Sequence, residues 1–231
     1  MNLMFRCFLW HVVLLLALSL HAGEPRTINL LAEKRFERWR FMQPKERSHW
    51  TRGTATLNQE DPSMLTVTTE GLELINAKSK GIDIYTTEDF GDCRLELEIM
   101  VPKGANSGVF LLREYEVQIL DSHGRTELKQ GDMGGIYGTA APAVNASRPP
   151  GEWQQMVVEF RAPRFNQQGE KTSNAMFSLV TLNDQVLHKN LEVAKPTTGT
   201  SRKEVPKGPI RLQGDHGPVA FRNIRVTTTS D

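Results

Sequence analysis

Glu116 and Gln118 stand two residues apart in the run Tyr115-Glu116-Val117-Gln118-Ile119-Leu120-Asp121. On a strand, residues two apart leave the same face. A carboxylate and an amide would therefore project together, with Asp121 closing the run. Tyr115, Val117 and Ile119 would face the other way, into a core. Two carboxylates about 5 Å apart suit a displacement in which one is nucleophile and the other acid, and a bulge would let Glu116 and Asp121 share a face. The plainer alternative is a set of solvent-facing strand polars. His216 is the next candidate. It lies beside Asp215 in the turn Gly214-Asp215-His216-Gly217, where a neighbouring carboxylate can orient an imidazole or keep it charged; a surface turn histidine reads the same way. Tyr137 and Trp153 could stack on a sugar ring, although aromatics near strands are more often core.

The elements that must position these residues read as strands. Apolar runs at 109–112 and 117–120, broken by Arg113-Glu114, predict a hairpin. Residues 93–101 alternate, with Leu95, Leu97 and Ile99 inward and Arg94, Glu96 and Glu98 outward. Strands are also expected at 64–69 and 72–75, about a Glu70-Gly71 turn, and at 81–86 and 153–160. Residues 175–182 and 185–188 form a hairpin about Asn183-Asp184, and 209–213 and 219–227 close the chain. The segment 30–42 fits neither helix nor strand period well. Residues 48–59 read as a polar loop anchored by Trp50 and Leu57, 164–173 as a surface turn, and 195–208 as a basic, Thr-rich loop. The tract 122–151 holds His123, a Met133-Gly134-Gly135 break and a short Ile136-Tyr137 strand; a loop this long is usually functional or disordered, and the strand in its middle argues for an ordered, site-building loop. About a dozen short strands with no helix, repeat or composition shift predict one all-β domain, a sandwich or barrel.

Composition limits the function classes. The 231 residues carry 28 Lys and Arg against 27 Asp and Glu, a net charge of +1, so bulk charge attracts neither nucleic acid nor an anionic membrane. Arg6 followed by the apolar run 8–20 and a polar Gly23-Glu24-Pro25 reads as an export signal over residues 1–22, leaving 23–231 as the domain; an uncleaved anchor is the alternative. Cys7 precedes the apolar run, which argues against a lipoprotein signal. Cys93 is then the one cysteine left, with no internal disulfide partner. Together these features point to a bacterial periplasmic or extracellular protein. Cys93 alternates with the apolar residues of its strand and reads as core rather than as a reactive thiol. Phosphate-loop, nucleophile-elbow and zinc-spacing motifs are absent. Asn145-Ala146-Ser147 matches a glycosylation acceptor, which matters only in a eukaryotic secretory pathway.

Four ordered motifs carry a family resemblance: NSGVFLLREYEVQILDS from Asn106, GGIYGTAAP from Gly134, PPGEWQ with RAPRF, and GPIRLQGDHGPVAFRNI from Gly208. Together, over about residues 28–227, they resemble the 3-keto-disaccharide hydrolase domain, formerly domain of unknown function 1080. The resemblance implies an exported concanavalin A-like jelly-roll sandwich of two antiparallel sheets. It also implies cleavage of glycosides whose sugar carries a ketone at carbon 3. The sequence departs from the family pattern at Glu114, where a turn Gly is expected, at Asn183-Asp184, and in the opening segment 30–39. The run 116–121 is also similar to the Glu-x-Asp-x-x-Glu strand of some β-sandwich glycosidases, with Gln118 in place of the middle Asp.

A ketone at carbon 3 acidifies the proton on carbon 2; once a base removes it, the group on carbon 1 leaves by elimination and water adds afterwards. That chemistry needs a base, an acid, and a polar group or metal at the ketone oxygen. Glu116 is the base candidate and His216 the acid or metal-ligand candidate, with Asp121 as a second carboxylate. Gln118, Arg113, Tyr137, Gln213 and Arg222 are candidates for binding substrate. A divalent metal is possible, but ligand spacing does not reveal one. The expected partner is a small carbohydrate. The competing readings are a non-catalytic glycan-binding module and a retaining glycosidase for unoxidised sugars, which Gln118 and the short Asp121 disfavour.

Overall fold

The computed structural model describes residues 24–33, 35–197 and 203–228; the expected export signal lies outside them. Among the described residues the chain runs through β1 (Arg26–Asn29), β2 (Trp39–Phe41), β3 (Trp50–Leu57), β4 (Leu65–Asn76), β5 (Ile84–Thr86), β6 (Cys93–Met100), β7 (Asn106–Leu111) and β8 (Tyr115–Leu120). It continues through β9 (Gln154–Arg161), β10 (Arg164–Phe165), β11 (Lys171–Ser173), β12 (Ala175–Leu182), β13 (Gln185–Val193), β14 (Arg211–Leu212) and β15 (Val219–Thr228). A single 3-10 turn, Lys45–Arg47, is the helical content among them. One sheet has the order β13-β12-β9-β6-β15-β4-β3, with β1 added on β15; the other has the order β2-β5-β14-β7-β8. The strands pair antiparallel.

Alternation in β6 and β8 builds the interior. Leu95, Leu97 and Ile99 point into one core with Val109 and Leu111 of β7, Tyr115, Val117 and Ile119 of β8, and Phe221 of β15. The two sheets thus sandwich a common apolar layer, in the single-domain jelly-roll manner. On the far side of the larger sheet, Ala55, Leu65, Ile75, Met100 and Ala220 form a second, smaller apolar cluster. Cys93 is buried at the main core, and burial pushes its thiol up to about 12, so it stays protonated and unreactive at neutral pH.

Several local expectations are corrected. Residues 48–59 are not a loop, because Trp50–Leu57 pair along β4. Small and Thr-rich strands of this kind gain order from a partner rather than from their own apolar pattern. Residues 64–75 do not turn at Glu70-Gly71; they form one strand with a register shift opposite Gly53 and Thr54. Gly71 sits there at φ 124°, where a Cβ would come within 2.5 Å of the Gly53 carbonyl oxygen. Among its described residues the segment 30–42 supplies only the three-residue β2, 81–86 narrows to β5, and Ile136 makes isolated bridges rather than a strand. Residues 164–173 form the small β10–β11 hairpin.

The β7–β8 turn centres on Leu112 and Arg113, at φ 53° and 65°, closed by the Glu114 amide donating to the Leu111 carbonyl at 3.0 Å. Left-handed backbone at both central positions is the hairpin geometry that usually takes Asn or Gly, as Asn183 and Asp184 supply at β12–β13. Here tertiary contacts compensate: Leu112 is buried in the core and the Arg113 guanidinium lies 4.7 Å from the Tyr85 ring centroid. The outer edge of β8 is covered by loops. The Gln118 amide donates to Gly135 and its carbonyl accepts from Gly134, both at 2.8 Å, while the Glu116 amide donates to Thr197 Oγ1 at 2.9 Å. A strand edge so occupied is closed to pairing with another chain, and the loop at 134–137 is drawn over the sheet.

Candidate functional site

The smaller sheet carries a polar groove of about 280 Å³ on the face away from the core. Arg211 of β14 stands opposite Phe110 of β7, and Phe110 stands opposite Glu116 of β8, so the three form a row across neighbouring strands. Two residues along, Gly108 faces Gln118, and the Gln213 amide donates to the Gly108 carbonyl at 2.9 Å. Asp83 before β5, Asn106 of β7, Tyr137 from the covering loop, and Asp215 with His216 after β14 complete the walls.

Gly108 determines how Glu116 lies. A Cβ at Gly108 would meet Glu116 Oε1 at 2.3 Å, so the carboxylate reaches across the bare backbone of the neighbouring strand. Glu116 is only 6% exposed, and among the described residues its side chain accepts no hydrogen bond. Burial raises it from 4.5 to about 7; Arg211 and His216 oppose that rise, while Asp83 and Asp215 add to it. A carboxyl balanced near neutrality and open to the groove can take a proton from a bound molecule. His216 Nδ1 lies 2.5 Å from Asp215 Oδ1, and both side chains are about half exposed. Gln118 is more constrained: its Nε2 is directed at Asn106 Oδ1, Ser107 O and Ile119 O at 2.7, 3.0 and 3.2 Å, so it presents its carbonyl oxygen.

Five residues proposed from sequence, Glu116, Gln118, Tyr137, Gln213 and His216, meet in this groove. Three do not. Asp121 Oδ2 accepts from the Gly104 amide at 2.9 Å; no bulge in β8 brings it round, because the β7–β8 register is unbroken. The Glu116–Asp121 nucleophile–acid pair is therefore not formed. Arg113 is held at the turn by Tyr85. Arg222 lies on the larger sheet, where it pairs with Glu98 at 2.6 Å and stacks on Trp153. Trp153 itself is half-buried against the small outer cluster.

Sequence reasoning missed Asp83, Asn106, Phe110 and Arg211. A signal for Arg211 existed, since it stands two residues before Gln213 and shares its strand face. Phe110 was hidden inside an apolar run, and its ring turns out to be covered by the Arg211 guanidinium at 3.5 Å. Among the described residues, no group of three or more His, Cys, Asp or Glu is placed to hold a metal ion. A second polar depression of about 350 Å³ adjoins β10–β11, but its side chains are paired: Arg164 with Asp92, Lys171 with Glu204, and Asn174 with Glu192.

Comparison with known proteins defines the class first: this is a carbohydrate-active jelly-roll domain. A provisionally assigned glycosyl hydrolase from Parabacteroides distasonis is 26% identical, with a TM-score of 0.65, over 87% of this chain and 82% of that one. A second from the same organism, 15% identical with a TM-score of 0.60 over 89% and 94% of the two chains, shares the fold. The chain belongs to the 3-keto-α-glucoside-1,2-lyase-like domain family, whose model matches residues 26–227. No curated protein matches the sequence.

Proposed function

We propose that the groove binds a glycoside carrying a ketone at carbon 3 and cleaves it by elimination across carbons 1 and 2, followed by hydration. The observation that carries this reading is the Glu116 carboxyl, buried in a polar groove, uncommitted to any donor among the described residues and with its pKa raised to about 7. The ketone makes the carbon 2 proton acidic. Glu116 removes it, the electron pair passes into the enolate, and on its return the carbon 1–oxygen bond breaks. His216, held by Asp215, protonates the leaving oxygen. Water then adds to the unsaturated ketone, its oxygen to carbon 1 and a proton to carbon 2. Gln118 and Gln213 bind ring hydroxyls, and Tyr137, 41% exposed at the mouth, lies where the leaving group emerges.

The test is to incubate the purified protein with 3-keto-trehalose and with trehalose. Cleavage of the first alone is the expected result. Cleavage of both would make it an ordinary glycosidase, and binding without cleavage a glycan-binding module. In Glu116→Gln, kcat should fall by about 10²–10⁴-fold, with ligand binding retained.

The chain is also proposed to be exported from a bacterial cell and cleaved after about residue 22, on the strength of Arg6 and the apolar run that follows. Intact-mass measurement of envelope protein still beginning at Met1 would refute export with cleavage.

A further inference from the structure

We infer that Arg211 binds the ketone oxygen and its enolate, and is thereby the residue that distinguishes a 3-keto sugar from an unoxidised one. This rests on the elimination proposed above and names the third group that reaction requires. The protein itself does little with Arg211. Its side chain is 15% exposed, yet among the described residues the guanidinium donates no hydrogen bond, and Nε is buried without a partner. Guanidinium has five N–H donors, and leaving buried donors unsatisfied costs free energy that native structures avoid. Its protein neighbours hold it without saturating it. Phe110 supports one face at 3.5 Å, and Asp83 Oδ2 lies 3.4 Å from Nη1.

Asp83 is the positioning residue: its other oxygen accepts from the Gly214 amide at 2.9 Å, which fixes the carboxylate at the groove wall. The same row carries the base. Glu116 and Arg211 flank Phe110 on its two neighbouring strands, and no ion pair joins them. A sugar ring seated in the groove above the Glu116 carboxylate and the Arg211 guanidinium, which cover Gly108 and Phe110, would turn its carbon 2 proton to Glu116 and the adjacent carbon 3 oxygen to Arg211. As Glu116 takes the proton, negative charge moves onto that oxygen. Arg211 hydrogen-bonds it there and keeps its own proton throughout. A hydroxyl at carbon 3 develops no such charge, so the unoxidised sugar gains little from the same group.

The experiment measures kcat and KM on 3-keto-trehalose, and calorimetric affinity for 3-keto-trehalose and trehalose, in the parent, Arg211→Gln and Arg211→Lys. It also follows exchange of the carbon 2 hydrogen with deuterium oxide in 1,5-anhydro-3-keto-glucitol, which enolises but has no leaving group. Because Arg211→Gln leaves Asp83 without its counter-charge, the neutral pair Arg211→Gln with Asp83→Asn serves as the folded control, checked by melting. Removing an oxyanion donor should lower kcat and the exchange rate by about 10²–10³-fold, abolish the binding preference for the keto sugar and leave trehalose affinity unchanged. Retention of parental exchange and of that preference in the folded variants would overturn the assignment. A parent that neither cleaves nor exchanges would instead refute the elimination itself, while loss of keto preference in Arg211→Gln would still support Arg211 as the ketone-binding group.

Discussion

Two arginines lie over aromatic rings, one on each sheet. Arg222, on the outer face of the larger sheet, covers Trp153 at 4.2 Å and reaches Glu98 through Nε and Nη2, while Glu98 also accepts from Asn223. Arg211, in the groove of the smaller sheet, covers Phe110 at 3.5 Å and makes no hydrogen bond among the described residues. The outer sheet is laced with such satisfied pairs: Arg94 reaches both Glu96 and Glu159. The groove instead gathers Asp83, Glu116 and Arg211 in partial burial without mutual saturation. The first arrangement closes a surface. The second leaves donors and acceptors for something else, and its charges are shifted by desolvation rather than fixed by neighbours.

Beyond the changes at Glu116 and Arg211 themselves, the largest expected effect that would sharpen this contrast is on catalysis in Gly108→Ala. The added methyl meets Glu116 Oε1 and must displace the carboxylate from the groove floor. A misplacement of about 1 Å can cost about 10²-fold in rate, so kcat on 3-keto-trehalose should drop by roughly that factor with circular dichroism unchanged. A variant with parental kcat would mean that the position of Glu116 over Gly108 is immaterial.

The next effect is a gain in stability when function is removed. Between pH 4.5 and about 7 the folded protein holds a proton on Glu116 that the unfolded chain has released. Stability therefore falls as pH rises through that window. Glu116→Gln removes this pH-dependent cost and should be more stable than the parent by about 3 kcal/mol at pH 8, with the difference vanishing below pH 4.5. Urea titrations at pH 4.5 and 8 measure it; equal differences at both pH values would contradict the burial argument. The same shift predicts that kcat/KM rises with pH up to about 7, since the base must be ionised. A profile that is flat from pH 5.5 to 8.5 would remove Glu116 from that role.

The smallest effects are expected on the outer sheet. Trp153→Ala uncovers the small cluster of Ala55, Leu65, Ile75, Met100 and Ala220. Because the ring is only half-buried, it should cost about 2 kcal/mol, below the roughly 3–5 of a fully buried Trp. Arg222→Ala removes a partly exposed pair and should cost about 1 kcal/mol or less. Neither should change kcat by more than about twofold; a large loss of turnover in either would erase the distinction between the two sheets.

What the sequence determined by itself is local. Alternation in β6 and β8 specified which side chains enter the core, because a strand has a period of two and only one face of each is apolar. The same period put Glu116 and Gln118 on one face without reference to any other element. Turn chemistry marked the Asn183-Asp184 hairpin for the same local reason, while the Leu112-Arg113 turn, which lacks such residues, depends on Tyr85 and the core. The groove was not legible in this way. Asp83, Phe110, Glu116 and Arg211 come from four segments, and only the pairing of β14 between β5 and β7, with β8 beside β7, brings them into one groove. Pairing also assigned Trp50–Leu57 to a strand although its own residues read as a loop. Arg222 and Asp121 are as polar as the residues of the groove, and nothing in their types separates them from it. Tertiary structure separates them by supplying partners: Glu98 and Trp153 engage one and the Gly104 amide the other, while Arg211 and Glu116 are largely withdrawn from solvent where no hydrogen bond from the described residues completes their side chains.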